Sequence, residues 1–312
     1  MCEEMRRDDR VFLMGEDVGA YGGAYKVTQG MLEEFGSDRV IDTPISELGF
    51  AGLGVGAAMN GLRPIIEFMT FNFSLVAMDQ VINSAAKIRA MSGGQFGVPI
   101  VFRGPTGSAG ALAAQHSQNF ESWYANCPGL KVIVPSTPAD AKGLLKSAIR
   151  DDDPVVFMES ELMYGHRGEI SQDQTDVVPI GRARIVQSGS DATLVSFGKM
   201  MTVALKAAER MRPHRVEVID LRTVRPLDMD CVIQSVTKTG RLVIVEEAWP
   251  LGSIASEIAY QVQRRAFDCL DAPIRKINSK DVPMPYAAEL SEATLPSEQE
   301  VFEALKHVLY VS

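Results

Sequence analysis

Short continuous apolar runs alternate along this chain with longer stretches in which apolar residues recur every three or four positions. The first kind predicts strands covered on both faces, and the second predicts helices with one buried side. In the first half the strands are Val11 to Met14, Arg63 to Met69, Val98 to Phe102, Lys131 to Val134 and Val155 to Met158. Between them lie a short helix at Met31 to Phe35 and a helix over Gly49 to Met59. A long helix is predicted from Phe71 to Met91, with Leu75, Met78, Val81, Ile82, Ala85 and Ile88 at helical spacing and Ser92-Gly93-Gly94 as its stop. A further helix opens at Pro138, capped by Ser136 or Thr137, and runs to Arg150. The pattern weakens from Gly165 to Gly189. It resumes with strands at Ala192 to Phe197, Arg215 to Ile219, Arg241 to Val245 and Pro273 to Ile277. The matching helices are Met200 to Met211, Asp228 to Lys238, Ser253 to Phe267 and Pro296 to Leu309. Alternation of this kind predicts an α/β fold with a parallel sheet in each half. The domains expected are residues 1–175, a linker over 176–190, and a smaller domain over 191–312.

One stretch breaks the ordinary pattern. Asp42 to Gly61, DTPISELGFAGLGVGAAMNG, reads as a strand end, a turn at Pro44, and a helix built almost wholly of small residues. Gly is poor in helix interiors, so a helix carrying this many is pressed against a backbone, a second subunit or a flat ligand. Glu47 stands at its start, where free N–H groups favour a carboxylate. A close-packed core helix with a capping acid explains the stretch equally well. Gly52, Gly54 and Ala57 also match G-x-G-x-x-A, but Pro44 and Glu47 intervene between strand and glycines, against the dinucleotide-binding arrangement. Glu16 and Asp17 follow the first strand, at the strand end where open α/β sheets place ligands. They read equally as solvated loop acids.

Composition narrows the function classes. The chain has 312 residues and a net charge of −9, and its basic runs, Arg6-Arg7 and Arg264-Arg265, are short. Nothing here favours nucleic acid as a partner. No apolar run approaches the length of a membrane span, and MCEEMRRDDR has no apolar segment of the secretory kind. Cys2, Cys127, Cys231 and Cys269 form no C-x-x-C pair, which predicts free thiols rather than disulfides or zinc. His166, His214 and His307 have no surrounding motif and read as surface residues.

Six segments together resemble one family over essentially the whole chain. They are DTPISELGFAG, EFMTFNFSLVAMDQVINSAAK, FRGPTGSAG, AAQHSQ, CPGLKVIVPSTPADAKGLLKSAIRDDDPVV and DVPMPYA. The family is the beta subunits of the thiamine diphosphate-dependent 2-oxo acid dehydrogenases, the pyruvate dehydrogenase component in particular. The resemblance implies a parallel-sheet, thiamine-type pyrimidine-binding domain followed by a transketolase C-terminal-type α/β domain. It also implies a further stretch of the first helix ahead of MCEEM. The lack of a transit peptide favours a bacterial cytoplasm, with a mature mitochondrial matrix chain as the alternative.

The resemblance assigns residues as well. Glu47 would hydrogen-bond the aminopyrimidine of thiamine diphosphate and favour its imino tautomer, a role suited to a partly desolvated carboxyl group. Phe73 would wall the aminopyrimidine ring. His116, in AAQHSQ, would face the active-site funnel and move protons during acetylation of lipoyl groups. Main-chain oxygens of Ile100, Ala148, Ile149, Asp151 and Asp153 would hold potassium, in keeping with the preference of hard cations for oxygen. A solvated acidic turn is the plainer reading of those last residues. The Gly-Asp-Gly motif that carries magnesium and diphosphate in thiamine enzymes is missing from this sequence. An alpha subunit would supply it, in an assembly of two alpha and two beta chains docked on a dihydrolipoyl acyltransferase core. The competing readings are a branched-chain 2-oxo acid or acetoin dehydrogenase beta subunit, and a non-catalytic assembly module.

Overall fold

A computed structural model describes residues 1–173 and 176–311. The chain divides into two compact units, one of residues 1–106 with 123–180, the other of residues 107–122 with the chain from 181 onward. The expected domain boundary at residue 175 lies outside the described residues.

The first unit is a parallel α/β sheet. Its strands are β1 (Val11–Gly15), β2 (Val40–Asp42), β3 (Arg63–Glu67), β4 (Val101–Pro105), β5 (Lys131–Ile133) and β6 (Val155–Glu159). Within the unit they run in the order β5-β6-β4-β3-β1-β2, with every neighbouring pair parallel. Both β1 and β4 are buried along their whole length; β1 is accordingly an apolar run rather than an alternation, whereas β4 carries the buried Arg103. The helices are α1 (Cys2–Arg7), α2 (Met31–Phe35), α3 (Glu47–Met59), α4 (Ala86–Met91), α5 (Glu121–Ala125), whose first two residues group with the second unit, and α6 (Pro138–Arg150). Thr137 caps α6, its Oγ1 accepting the Asp140 N–H at 3.1 Å, and Pro138 fills the first position.

The stretch from Phe71 to Met91 is helical but not one α-helix. It begins as a 3-10 turn at Phe73–Ala77, passes through a π-helical segment at Gln80–Ala85, and becomes α4 only at Ala86. Apolar spacing registers which residues point inward and is blind to the hydrogen-bond register, so the sequence predicts the run and misses its winding. The strand expected at Val98 to Phe102 sits at Val101–Pro105 instead, so Arg103 and Gly104, read from RGPTGSAG as loop, belong to β4.

The second unit has β7 (Arg184–Gln187), β8 (Ala192–Ser196), β9 (Val216–Asp220), β10 (Thr223–Arg225), β11 (Leu242–Val245) and β12 (Arg275–Ile277). Five of them form a sheet in the order β12-β11-β8-β9-β7, parallel except for the β7–β9 pair. Around them lie α7 (Met200–Arg210), α8 (Met229–Thr239), α9 (Ile254–Ala266), α10 (Ala288–Thr294) and α11 (Glu298–Leu309). Met200, Ala204 and Ala208 of α7 and Val301, Leu305 and Val308 of α11 close one face of the core. Ser297 and Glu300 form a reciprocal capping box at the start of α11. The strand β7 lies inside the stretch expected to be linker, and its half-exposed residues explain its weak signal. The four cysteines are free thiols. Among the described residues no helix is long and apolar enough to cross a membrane.

Candidate functional site

In the first unit the chain ends β1 at Gly15 and turns at once. Asp17 takes a positive φ of 54°, a conformation Asp tolerates better than most residues. The turn is tied down by Asp42 at the end of β2, whose carboxylate accepts the N–H groups of Gly19 (2.6 Å) and Ala20 (2.9 Å). The Gly15 carbonyl accepts the Thr43 N–H at 3.0 Å. This stitching fixes the end of β1 against the entry to α3, and it puts Glu16 beside Glu47.

Glu47 is the first residue of α3 and is buried, and its α-helical start places it among free N–H groups. Glu16 is buried too, and its carboxyl hydrogen-bonds that of Glu47. Burial, reinforced by the Glu47 charge and by that hydrogen bond, pushes the Glu16 carboxyl up to about 7. The Glu16 carboxyl can therefore take up or release a proton near neutral pH. Glu16 Oε1 is buried and has no hydrogen-bond partner among the described residues. Of the two readings of Glu16, solvated loop acid and strand-end site acid, the burial favours the second.

Two sides of α3 behave differently. Phe50, Ala51, Gly54, Val55 and Ala58 are buried. A Cβ added to Gly54 would stand 2.6 Å from Cδ1 of Ile66 and 3.2 Å from Cδ1 of Ile100, so here the missing side chain lets the helix lie on the sheet. Gly52 and Ala57 are also interior to α3, not at a strand-to-helix turn, and the dinucleotide reading has no phosphate-cradling loop to rest on. On the other side Leu48 and Leu53 are exposed, as is Ile45 just before the helix. Phe73 opens the 3-10 turn that packs against α3 and is half-buried. Glu16 and Glu47 thus meet at the C-terminal ends of the strands, and Phe73 stands on a turn that packs against the helix Glu47 opens.

Beneath that neighbourhood runs a buried ion network. Arg103 of β4 is fully buried and bonds Glu67 of β3 and Glu159 of β6, donating from Nε to Glu159 Oε1 at 3.1 Å. Tyr164 donates its hydroxyl to Glu159 at 2.5 Å. Burial opposes the guanidinium charge, and the two carboxylates more than offset it, holding Arg103 well above its ordinary range. Sequence reasoning passed over this arginine because it stands among turn residues. The neighbouring aromatics Phe50, Phe68, Phe71, Phe102 and Tyr124 pack in contact, with ring centroids 5.7 to 6.0 Å apart.

The residues expected to hold potassium gather at the opposite, N-terminal ends of the strands. Ile100 precedes β4, and Ala148, Ile149, Asp151 and Asp153 surround the end of α6. Four of the five main-chain oxygens already serve protein donors. The carbonyls of Ile149 and Asp151 each accept Arg63 Nη1 at 3.0 Å, that of Ile100 accepts the Val155 N–H at 2.9 Å, and that of Ala148 accepts the Asp151 N–H at 3.3 Å. Lys131 pairs with Asp151 and Asp153, and Arg89 with Asp153. A guanidinium already provides the cation in this cluster. No cluster of His, Cys, Asp and Glu with metal-binding geometry occurs among the described residues.

His116 lies in the second unit. It ends a 3-10 turn, Ala114–His116, and is half-buried. Of the remaining histidines, His166 and His307 are exposed, whereas His214 is half-buried.

Comparison with known proteins follows the same two-part division. Residues 1–166 match the family described as transketolase, pyrimidine binding domain, and residues 181–301 match transketolase, C-terminal domain. The chain is 61% identical over 312 residues to the pyruvate dehydrogenase E1 component subunit beta of Rhizobium meliloti, covering 99% of this chain and 68% of that protein. It is 55% identical to the protein of that name from Rickettsia bellii, covering 100% and 96%. It is 53% identical to the mitochondrial subunit beta-1 of Arabidopsis thaliana, covering 99% and 87%. A solved split-gene transketolase, described as an inactive beta4 tetramer, shares the fold with a TM-score of 0.79 at 19% identity, covering 99% of this chain and 95% of that one. With this identity sustained along its length, the chain belongs to the family of pyruvate dehydrogenase E1 component beta subunits.

Proposed function

We infer that the chain is the beta half of a pyruvate dehydrogenase. Together with an alpha subunit it would decarboxylate pyruvate with thiamine diphosphate and pass the acetyl group to lipoyl groups of a dihydrolipoyl acyltransferase core. The observation that carries this reading is the Glu16–Glu47 carboxyl pair, in a chain whose relatives bear that name. Two buried carboxyls side by side, one of them raised to about 7 and with an oxygen that has no partner among the described residues, fit the hydrogen-bonding edge of an aminopyrimidine. Thiamine diphosphate supplies the carbon nucleophile and electron sink that decarboxylation of a 2-oxo acid requires. The protein's part is proton management and positioning. Glu47 would hold the cofactor's aminopyrimidine by a hydrogen bond, and Glu16 would keep a second carboxyl within reach of Glu47 as a proton reserve. Phe73 would wall the ring, and His116 would move protons at the acyl acceptor.

Magnesium and the diphosphate fall to the alpha subunit, since no Gly-Asp-Gly occurs in this sequence. An assembly of two alpha and two beta chains accounts for the exposed Ile45, Leu48 and Leu53, because a helix that is apolar all round is covered somewhere. Potassium fits less well. Arg63 already occupies two of the expected carbonyls, so no step is routed through the ion, and its role would be confined to stability. For the compartment, the bacterial relatives favour a bacterial cytoplasm, with the mitochondrial matrix as the alternative.

Substrate choice is tested by kcat/KM of the reconstituted alpha–beta assembly for pyruvate and for 2-oxoisovalerate. We expect pyruvate to be preferred by at least about tenfold, the scale on which a pocket resolves small apolar differences. Preference for the branched acid would move the chain to the branched-chain dehydrogenases.

A further inference from the structure

Residues 107–122 leave the first sheet after β4 and group with the second unit. Their base is closed by a hydrogen bond from the Gly107 N–H to the Gln118 carbonyl at 3.0 Å. His116 stands within this closed loop, just before that carbonyl. Ala113, which precedes its turn, takes a positive φ of 65°, so the local backbone is held away from the commonest conformations.

The second unit grips the loop through charges. Glu247, just past β11, accepts the Ser108 N–H on Oε1 at 2.6 Å. Lys199, just before α7, donates to the Ser108 carbonyl at 2.6 Å and pairs with Glu247 Oε1 at 2.7 Å. Both main-chain polar groups of one residue are thereby engaged by a single ion pair. The pair is itself largely shielded, with side-chain exposures of 10% for Lys199 and 7% for Glu247. Gly107 makes room for it: at φ +81°, an added Cβ would lie 2.8 Å from Glu247 Oε2 and 2.9 Å from Asn119 Oδ1. Burying a charge pair brings little net stability, because desolvation consumes most of the attraction. What it does provide is a fixed direction, since a carboxylate on the Ser108 N–H and an ammonium on the Ser108 carbonyl orient both peptide units that meet at this residue. Glu121 does not compete for the lysine. Burial, with the Glu247 and Glu246 charges adding to it, pushes its carboxyl up to about 8, so it is mostly neutral at pH 7.

We propose that Lys199 and Glu247 are positioning residues for His116, their clamp on Ser108 setting how the loop presents the imidazole to the acyl acceptor. This rests on the reading of His116 given above. It adds two residues from the second unit to the machinery of acetyl transfer, although neither needs to touch substrate.

The test uses the alpha–beta assembly loaded with thiamine diphosphate and magnesium. Two rates are measured for each variant: pyruvate oxidation coupled to a soluble dye, and acetylation of a lipoyl domain. In Lys199→Met and Glu247→Gln we expect the ratio of acetylation to dye-coupled turnover to fall about tenfold or more, as misplacement of a reacting group by about an ångström does. Lys199→Arg should retain most of the ratio. Hydrogen exchange across residues 107–118 should speed up in the first two variants and not in the third, which gives a readout even where turnover is low. His116→Gln separates the two ideas. If it lowers the ratio while the clamp variants leave both ratio and loop exchange unchanged, the clamp proposal is overturned and the reading of His116 stands. If His116→Gln leaves the ratio unchanged, the reading of His116 fails and the clamp proposal fails with it.

Discussion

Glu16 and Glu47 meet because β1 and the entry to α3 are stitched together by Asp42 and Thr43, although the two glutamates are far apart in sequence. Glu47 was legible from the chain alone, as an acid at the start of a small-residue helix. Its partnership with Glu16 was not, since strand order in a parallel sheet is set by crossovers that no local pattern records. The pair has a pH signature. The Glu16 carboxyl lies near 7 in the folded chain and near 4.5 when unfolded, so the folded state binds the extra proton. Its contribution to stability is therefore complete below about pH 4.5 and is lost as pH rises through about 7. Glu16→Gln should flatten that part of the profile, read as the change in thermal midpoint of the assembly between pH 5.5 and 8. A slope as steep as that of the unmodified chain would contradict the assignment. Arg103 offers a second test at this scale. Arg103→Met leaves Glu67 and Glu159 buried without their cation and should cost about 3–5 kcal/mol, measured by chemical unfolding. A loss below about 1 kcal/mol would mean that water reaches the network.

Among elements, α3 is where sequence and structure inform each other most. Its composition predicted close approach, and Gly54 shows where that happens, against Ile66 and Ile100. Gly54→Val should overpack this contact and destabilise the chain by about 1–3 kcal/mol, seen as a lowered unfolding midpoint. A neutral or stabilising effect would place the need for glycine elsewhere on the helix. Regular elements with strong periodicity, such as α6, α7, α9 and α11, lie within a residue or two of where the pattern put them. The failures are physical in origin. In β4, pairing with β3 and β6 carries Arg103 and Gly104 into the sheet although both look like turn residues. The π-helical segment before α4 has the same inward residues as an α-helix would, so periodicity alone does not detect it. The strand β7 is short and half-exposed, and its sequence resembles a linker.

At the scale of the molecule, both family domains were legible, because six ordered motifs span the chain and their order is itself information. Residues 107–122 were harder to place: they lie between two strands of the first sheet in sequence, yet group with the second unit. The arginine-filled carbonyl cluster at the end of α6 yields a further test. If potassium shares it, the thermal midpoint of the assembly should be higher in potassium than in tetramethylammonium at equal ionic strength. Equal midpoints would leave the cluster to the chain's own cations, Arg63, Lys131 and Arg89. In the function proposed, this chain supplies the proton-handling half of a thiamine site completed by an alpha subunit. The most direct measurement is kcat for pyruvate in the reconstituted assembly carrying Glu47→Gln, with assembly confirmed by co-purification. We expect kcat to fall by about 10²-fold or more while the alpha–beta assembly persists, the scale of a lost general acid–base group. An assembled Glu47→Gln enzyme that keeps its turnover would contradict the account and leave the chain a scaffold.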